Sequence, residues 1–150
     1  MIRQLLLLTL SAAPALSDMA RPGALQALLG YHTAACTAQG GSLTIAEDAV
    51  TRAHLLGPED PALILDSGKL SCSTASAMFC ADSIGCELNV FMGEARHSLI
   101  VQSWSLVPDG DRQLLQVTIA GELLNRPEPG TCRMTWDRSA AALVDLGAAN

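Results

Sequence analysis

Residues 72–86 read CSTASAMFCADSIGC and contain three of the five cysteines of the chain, at Cys72, Cys80 and Cys86. Sequence typical of a helix precedes this cysteine cluster, and sequence typical of strands follows it. Cysteines of an exported protein meet an oxidising compartment, so they are first interpreted as disulfide partners. The cluster therefore predicts a segment that is held by covalent cross-links and around which the rest of the chain is arranged.

The other two cysteines, Cys36 and Cys132, lie far from the cluster on opposite sides of it. A Cys80–Cys86 bond would close a tight loop at the start of the next strand, and a Cys36–Cys72 bond would join the preceding helix to the cluster. The chain-entropy model gives about 2 kcal/mol for the small loop and about 4 kcal/mol for the large one. Four paired cysteines allow three connectivities, and the sequence does not choose among them. Cys132 is the candidate for the unpaired thiol.

The first 17 residues show the three parts of a secretory signal peptide. Arg3 supplies the positive charge, residues 5–10 form a short apolar stretch, and Ala15 and Ser17 supply the small residues of a cleavage site. The apolar stretch is too short to span a bilayer stably, and no second segment approaches the roughly 20 residues of a spanning helix. We expect cleavage after Ser17, which leaves residues 18–150 as a single disulfide-stabilised domain, periplasmic or secreted.

The chain is acidic, with a formal net charge of -6 and a pI of about 4.8. Its one lysine, Lys69, and its arginines are scattered and form no basic cluster. Binding to nucleic acid depends on Lys and Arg that neutralise phosphates, and binding to an anionic membrane surface depends on a basic patch. Neither nucleic acid nor a membrane is therefore expected as a partner.

Hydrophobic periodicity predicts one helix followed by short strands. Apolar residues at helical spacing after Pro22 predict a helix over 22–36, and Gly40 with Gly41 marks the turn beyond it. Turn residues predict connections at 93–96 and 108–111 and a loop at 125–130. The predicted strands cover 42–46, 50–55, 62–65, 86–92, 98–107, 113–123, 131–137 and 142–146.

The predicted fold class is α+β, with one N-terminal helix packed on an antiparallel sheet of about six short strands and linked by disulfides. An all-β sandwich that carries the helix as an appendage is the alternative. Trp104 and Trp136 are expected in the core as the largest apolar side chains, although one of them could instead anchor an exposed binding face.

No catalytic or ligand-binding motif of known specificity occurs in the sequence. The clustered cysteines are separated by seven and five residues, whereas zinc ligand pairs stand two to four apart, so no metal or other cofactor is expected. The histidines His32, His54 and His97 are far apart and are expected on the surface. The acids Glu59, Asp60, Asp109 and Asp111 fall in predicted turns, where carboxylates bond their own backbone.

One combination could still support enzymatic chemistry. Cys132 would act as the nucleophile with His97 as its base and a turn carboxylate as a third group. The expected state of Cys132 is instead a buried, inert thiol, because no sequence motif joins it to a histidine.

The arrangement of these features resembles a loose group of small exported bacterial proteins of uncharacterised function. The matching stretches are Cys36 with Gly40 and Gly41, residues 54–62 before the strand at 63–66, Cys72, Cys80, Gly85 with Cys86, and Cys132 with Trp136 and Asp137. The resemblance implies a shared architecture and carries over no activity.

In that group, the stretch that matches residues 54–62 is similar to a calcium-binding loop. Here His54, Leu56, Pro58 and Ala62 stand where oxygen ligands are expected, and calcium needs six or more oxygens. We interpret the loop as a degenerate one that keeps the turn without the ion. Millimolar calcium is therefore predicted to leave the melting temperature unchanged.

Together, these features predict a small exported domain without enzymatic activity. Its expected role is recognition of another envelope or secreted protein. A periplasmic inhibitor of lytic or proteolytic enzymes is a narrower alternative, an enzyme with a non-standard Cys/His site is a second alternative, and a structural envelope component is a third.

Overall fold

The structure, a computed structural model, describes residues 22–149. The predicted signal peptide, residues 1–17, and its cleavage site lie outside the described residues. Within 22–149 no helix has the length and apolar character needed to cross a membrane. The helices are α1 (Gly23–Ala38) and two 3-10 turns, Ser67–Lys69 and Gly121–Leu124. The strands are β1 (Leu43–Ile45), β2 (Val50–Ala53), β3 (Ala62–Asp66), β4 (Leu70–Cys72), β5 (Cys80–Ala81), β6 (Gly85–Met92), β7 (Ala95–Val101), β8 (Ser103–Asp109), β9 (Arg112–Ile119), β10 (Gly130–Asp137) and β11 (Ala142–Ala148).

The strands of the described region form three antiparallel sheets. One pairs β1 with β4, a second contains β2, β3, β5, β6 and β7, and the third has the order β11-β10-β9-β8. The predicted α+β class with antiparallel pairing and disulfide bonds is confirmed. The predictions of a single sheet of about six strands and of a single sandwich are both wrong.

The strand predicted at 98–107 explains much of this difference, because it is two strands. The backbone N–H of Gln102, between β7 and β8, donates to the carbonyl oxygen of Thr118. Gln102 and Ser103 are both exposed, so the alternation of buried and exposed residues shifts by one at this point. The chain thereby leaves the five-stranded sheet and begins the four-stranded one.

The core has two layers, one on each side of the five-stranded sheet. In β6, Leu88 and Val90 pack with Leu115 and Trp136 of the four-stranded sheet. Phe91, on the opposite face of β6, packs with Leu25, Leu28, Leu29 and Leu65 beneath α1. The described region is therefore layered as helix, five-stranded sheet and four-stranded sheet.

The helix α1 is fixed at its N-terminus by a residue distant in sequence. Pro22, at the N-cap, offers no capping side chain. The carboxylate of Glu94, at the tip of the β6–β7 hairpin, instead accepts hydrogen bonds from the backbone N–H groups of Gly23 and Ala24 at 2.8 and 2.9 Å. These are donors that a helix leaves unpaired, and the negative charge also suits the positive end of the helix dipole.

Disulfide bonds hold the other end of the helix and the cysteine cluster. Cys36, in the last turns of α1, is bonded to Cys72 at the end of β4, and Cys80 is bonded to Cys86 directly opposite it in the β5–β6 pair. These are the two bonds considered from the sequence, and Cys132 is a free thiol. A β-carbon at Gly41 would lie 2.5 Å from Sγ of Cys72, so the Cys36–Cys72 bond packs directly on the glycine backbone.

Candidate functional site

A groove runs along one side of α1. It lies above β7, a strand of the five-stranded sheet that the helix does not cover. The helix packs over β3 and β6 through its buried leucines. The residues of β7 on the helix-facing side of the sheet, Arg96, Ser98 and Ile100, remain exposed. Arg96 is paired with Phe91 and Ile100 with Glu87, so Glu87 lies on the same face.

The helix contributes the other side of the groove through residues with small side chains. Ala24, Ala27, Tyr31 and Ala35 follow one another at spacings of three or four residues, which places them on one edge of α1. Tyr31 rises between the alanines with 68% of its surface exposed. The alanines leave space that larger side chains would fill, and this is why a groove exists.

Tyr31 divides the groove into two contiguous depressions, both of which are lined by Tyr31 and Glu87. The first has a volume of about 610 Å³ and lies beside Ala24 and Ala27, with Arg96 at its edge. The second, called here the His32 pocket, has a volume of about 410 Å³. Its walls include Ala35, Met78, Phe79, Ile84 and Ile100.

His32 is the unusual member of this pocket. Only 3% of its surface is exposed, and neither ring nitrogen has a hydrogen-bond partner among residues 22–149. Its ring meets that of Phe79 edge-on, with centroids 4.5 Å apart, and that of Tyr31 at 5.8 Å. Buried polar groups nearly always have partners, so a buried imidazole with two unused nitrogens in a pocket wall requires an explanation.

Burial favours the neutral form of the His32 ring. Burial lowers the pKa of His32, Glu87 opposes this effect, and Arg96 lowers the pKa further. A neutral imidazole carries one N–H donor and one bare nitrogen acceptor. The ring of His32 therefore carries one donor and one acceptor, both uncharged and both buried, and the pocket that it lines also includes the carboxylate of Glu87.

The outer wall of the His32 pocket comes from the cysteine cluster. Residues 73–79, between β4 and β5, form turns that are closed by hydrogen bonds from the N–H of Met78 to the carbonyl oxygen of Ala75 and from the N–H of Cys80 to that of Ala77. The Cys80–Cys86 bond ties this wall to β6. Gly85, with φ of +118°, is required here because a β-carbon would overlap the carbonyl oxygen of Val101 in the neighbouring strand.

A second buried polar group lies on the same face of β6. Asn89 stands two residues beyond Glu87, is fully buried, and has no hydrogen-bond partner for either atom of its side-chain amide within 22–149. It lines neither depression. His32 and Asn89 thus leave unpaired polar groups between helix and sheet, and Nδ1 of His54 and the hydroxyl of Ser67 are likewise buried without a partner within 22–149.

The structure places Cys132 elsewhere, in a depression of about 350 Å³ that also contains Arg126, Met134 and Asp145. Burial raises the pKa of the Cys132 thiol, Asp145 raises it further, and Arg126 acts in the opposite direction. A thiol with a raised pKa is protonated at neutral pH and is a poor nucleophile. His97 lies on β7 opposite Val90, and no hydrogen bond joins it to Cys132 in the part of the chain that the structure describes.

Asp60, Asp109 and the two tryptophans, which the sequence also singled out, serve packing or pairing. Asp60 pairs with Arg138, and Asp109 pairs with Arg112 at 2.8 Å. Trp136 is in the core, while the indole N–H of the partly buried Trp104 donates to the Asp66 carboxylate at 2.8 Å. Across residues 22–149, no group of three or more His, Cys, Asp or Glu could hold a metal ion.

No family model matches the chain, and no curated protein or solved structure is detectably similar to it. The resemblance noted in the cysteine pattern stays a prediction. Function must therefore be inferred from the groove itself.

Sequence reasoning did not identify this groove. It placed His32 on the surface, which is wrong because the structure buries it, and it gave no binding role to Tyr31, Glu87 or Arg96. The one local signal was the run of small residues along one edge of the helix, with Tyr31 at its centre. The pairing of that edge with β7 depends on tertiary structure, which no local pattern contains.

Proposed function

We propose that the protein is a non-enzymatic recognition domain of the cell envelope or the extracellular space, which binds a segment of another protein in the groove beside α1. The observation that carries this proposal is the exposed Tyr31 in a groove that Glu87 and Arg96 also line. Tyrosine and arginine are the residues that dominate binding energy at many protein interfaces. Neither Glu87 nor Arg96 forms an ion pair within residues 22–149, so both charges are available to a partner.

The dimensions of the groove suit a short chain segment. The groove follows α1 from Ala24 to Ala35, a length of about 18 Å, which about five extended residues would match. The sheet side of the groove carries one negative charge, on Glu87, and one positive charge, on Arg96. A segment that carries both kinds of charge would therefore be oriented as well as bound. Such a segment would cover Ile100, which is 36% exposed at the groove.

The site is also pre-organised. Glu94 fixes the start of the helix, and the Cys36–Cys72 bond fixes its last turns. A rigid groove loses little conformational entropy when a ligand binds, which favours affinity. The disulfides are compatible with an oxidising compartment, so we infer an envelope or secreted partner.

Site-specific photo-crosslinking tests the proposal. A photoreactive residue replaces Tyr31 in one version and Leu146 in a matched control, since both side chains are well exposed, at 68% and 52%. In extracts of the cell envelope, position 31 should crosslink to one defined protein that position 146 does not reach. Excess wild-type protein should abolish this product, and excess Arg96→Glu protein should not.

Two results would overturn the proposal. One is a crosslinking pattern at position 31 that is indistinguishable from that at position 146. The other is a product formed only with a second copy of the same chain. An inhibitor is the narrower form of the proposal, in which the crosslinked partner is a lytic or proteolytic enzyme whose activity falls when the protein is added.

A further inference from the structure

We infer that the His32 pocket receives an arginine side chain of the bound segment, whose guanidinium group pairs with the carboxylate of Glu87. This inference rests on the proposed function and specifies which charge of the partner is bound at which end of the groove. It is carried by Glu87, which lines both depressions, is half-buried and has no ion-pair partner within residues 22–149.

The two charges of the groove act on different depressions. Arg96 lines the first depression together with Glu87, whereas Glu87 is the one acid or base among the described residues that line the His32 pocket, apart from Tyr31 and His32. Arg96 is opposite Phe91, four residues beyond Glu87 on β6, so about 13 Å separates the two charged positions along the strands. A cation is therefore opposed by Arg96 in the first depression and attracted by Glu87 in the His32 pocket.

The walls of the His32 pocket suit the stem and the flat head of arginine. Met78, Phe79 and Ile100 offer apolar surface, on which the methylene groups of a long basic side chain can pack while its charged end reaches a polar group. Tyr31, an exposed aromatic ring at the pocket, suits a guanidinium because this group stacks on aromatic faces. The volume of about 410 Å³ is at the small end of the range for ligand pockets, so it suits a single side chain.

Other side chains of a partner would fit this pocket less well. An acidic side chain would be repelled by Glu87. An apolar side chain would cover the half-buried carboxylate and remove its water without replacing the lost hydrogen bonds. A lysine side chain could pair with Glu87, but its ammonium group is more strongly hydrated and cannot form the two parallel hydrogen bonds of a guanidinium to a carboxylate.

Nuclear magnetic resonance with three small probes tests this inference. The amides of Nα-acetyl-arginine, Nα-acetyl-lysine and Nα-acetyl-citrulline are titrated at millimolar concentrations into protein labelled with carbon-13 and nitrogen-15. Citrulline is the matched control, because it has nearly the shape of arginine without the charge. The arginine probe should shift the side-chain carboxyl carbon of Glu87 and the backbone amides of Phe79 and Ile84. It should bind at least about threefold more tightly than the citrulline probe, with the lysine probe between them.

Two variants show whether Glu87 is responsible. In Glu87→Gln the arginine and citrulline probes should bind equally weakly. Glu59→Gln, which changes an exposed acid outside the groove, should keep the wild-type preference. In the wild type, raising the sodium chloride concentration from about 20 mM to about 500 mM should reduce the preference for arginine, because salt screens a partly exposed ion pair.

The inference has clear grounds for rejection. Equal affinity for the arginine and citrulline probes, tighter binding of the lysine probe than of the arginine probe, shifts outside the pocket, or no binding of the arginine probe would each overturn it. If Glu87→Gln does not fold, as judged by its amide spectrum, the shift of the Glu87 carboxyl carbon and the salt dependence in the wild type still decide the question.

The two proposals can fail separately. A defined crosslink at position 31 without selective binding of the arginine probe would refute the arginine pocket and leave protein recognition standing. Selective binding of the arginine probe without a crosslinked partner would support the pocket and refute recognition of a protein segment.

Discussion

Removing the two disulfides one at a time should destabilise the protein by unequal amounts. The perturbations are the double variants Cys36→Ala/Cys72→Ala and Cys80→Ala/Cys86→Ala. The bonded residues are 36 positions apart in the first pair and 6 apart in the second. The loop-closure model then gives losses of about 4 kcal/mol and about 2 kcal/mol in the free energy of unfolding.

Burial should widen this difference. Cys36 and Cys72 are 0% and 1% exposed, and the backbone of Gly41 packs against their sulfur atoms without a side chain that could fill the vacated space. The Cys80–Cys86 bond is only partly buried, so its surroundings can relax after substitution. Truncation of a buried group that leaves a cavity costs more than truncation of an exposed one.

Urea unfolding of the oxidised variants measures the two losses, and similar m-values are needed before the midpoints are compared. We expect the Cys36/Cys72 variant to unfold at the lower urea concentration, by a margin equivalent to at least about 2 kcal/mol. Equal losses, or a larger loss for the Cys80/Cys86 variant, would refute the reasoning from loop length and burial.

Four further predictions concern single residues or calcium. Glu94→Ala should lower the free energy of unfolding by about 1 kcal/mol, because it removes the cap of α1, and Glu94→Gln should lose less, as chemical denaturation will show. Gly85→Ala should cost more than about 2 kcal/mol by the same measurement, whereas Gly110→Ala, at a left-handed glycine with open space around it, should cost about 1 kcal/mol. Burial lowers the pKa of His32 in the folded state, so protons bind the unfolded state more strongly. The free energy of unfolding of the wild type relative to that of His32→Leu should therefore be highest above the ordinary histidine pKa of about 6.5 and should decline on acidification through the folded-state pKa; a relative stability that grows on acidification would contradict this assignment. Millimolar calcium should leave the melting temperature unchanged, and a rise of several degrees would show that residues 54–62 bind the ion.

The sequence predicted the elements that interactions between neighbouring residues specify, which are the helix and a turn. Helical spacing after Pro22 predicted a helix over 22–36, and α1 covers Gly23–Ala38. The Pro and Asp-Gly residues at 108–111 predicted a turn, and β8 and β9 pair across it. These features could be predicted because a turn or a periodic face is specified within a few consecutive residues.

The features that the sequence did not reveal are non-local. Glu94 caps a helix that begins 71 residues earlier, and no spacing rule connects the two. The break at Gln102 was marked only by two adjacent polar residues, which in a solvent-facing strand would be unremarkable. Both features depend on which elements become neighbours, and the sequence pattern of either segment alone carries no information on that point.

The groove lowers the stability of the domain. The exposed face of β7 gives up apolar burial, and the unpaired nitrogens of His32 give up hydrogen-bond energy. A domain selected for stability alone would remove both losses by placing larger side chains at Ala27 and Ala35 and an apolar residue at position 32. Proteins break local rules of packing and polar pairing mainly at functional sites. Because the two disulfides and the Glu94 cap hold the helix and the pocket wall in place independently of groove burial, the fold can keep an open groove and still remain stable.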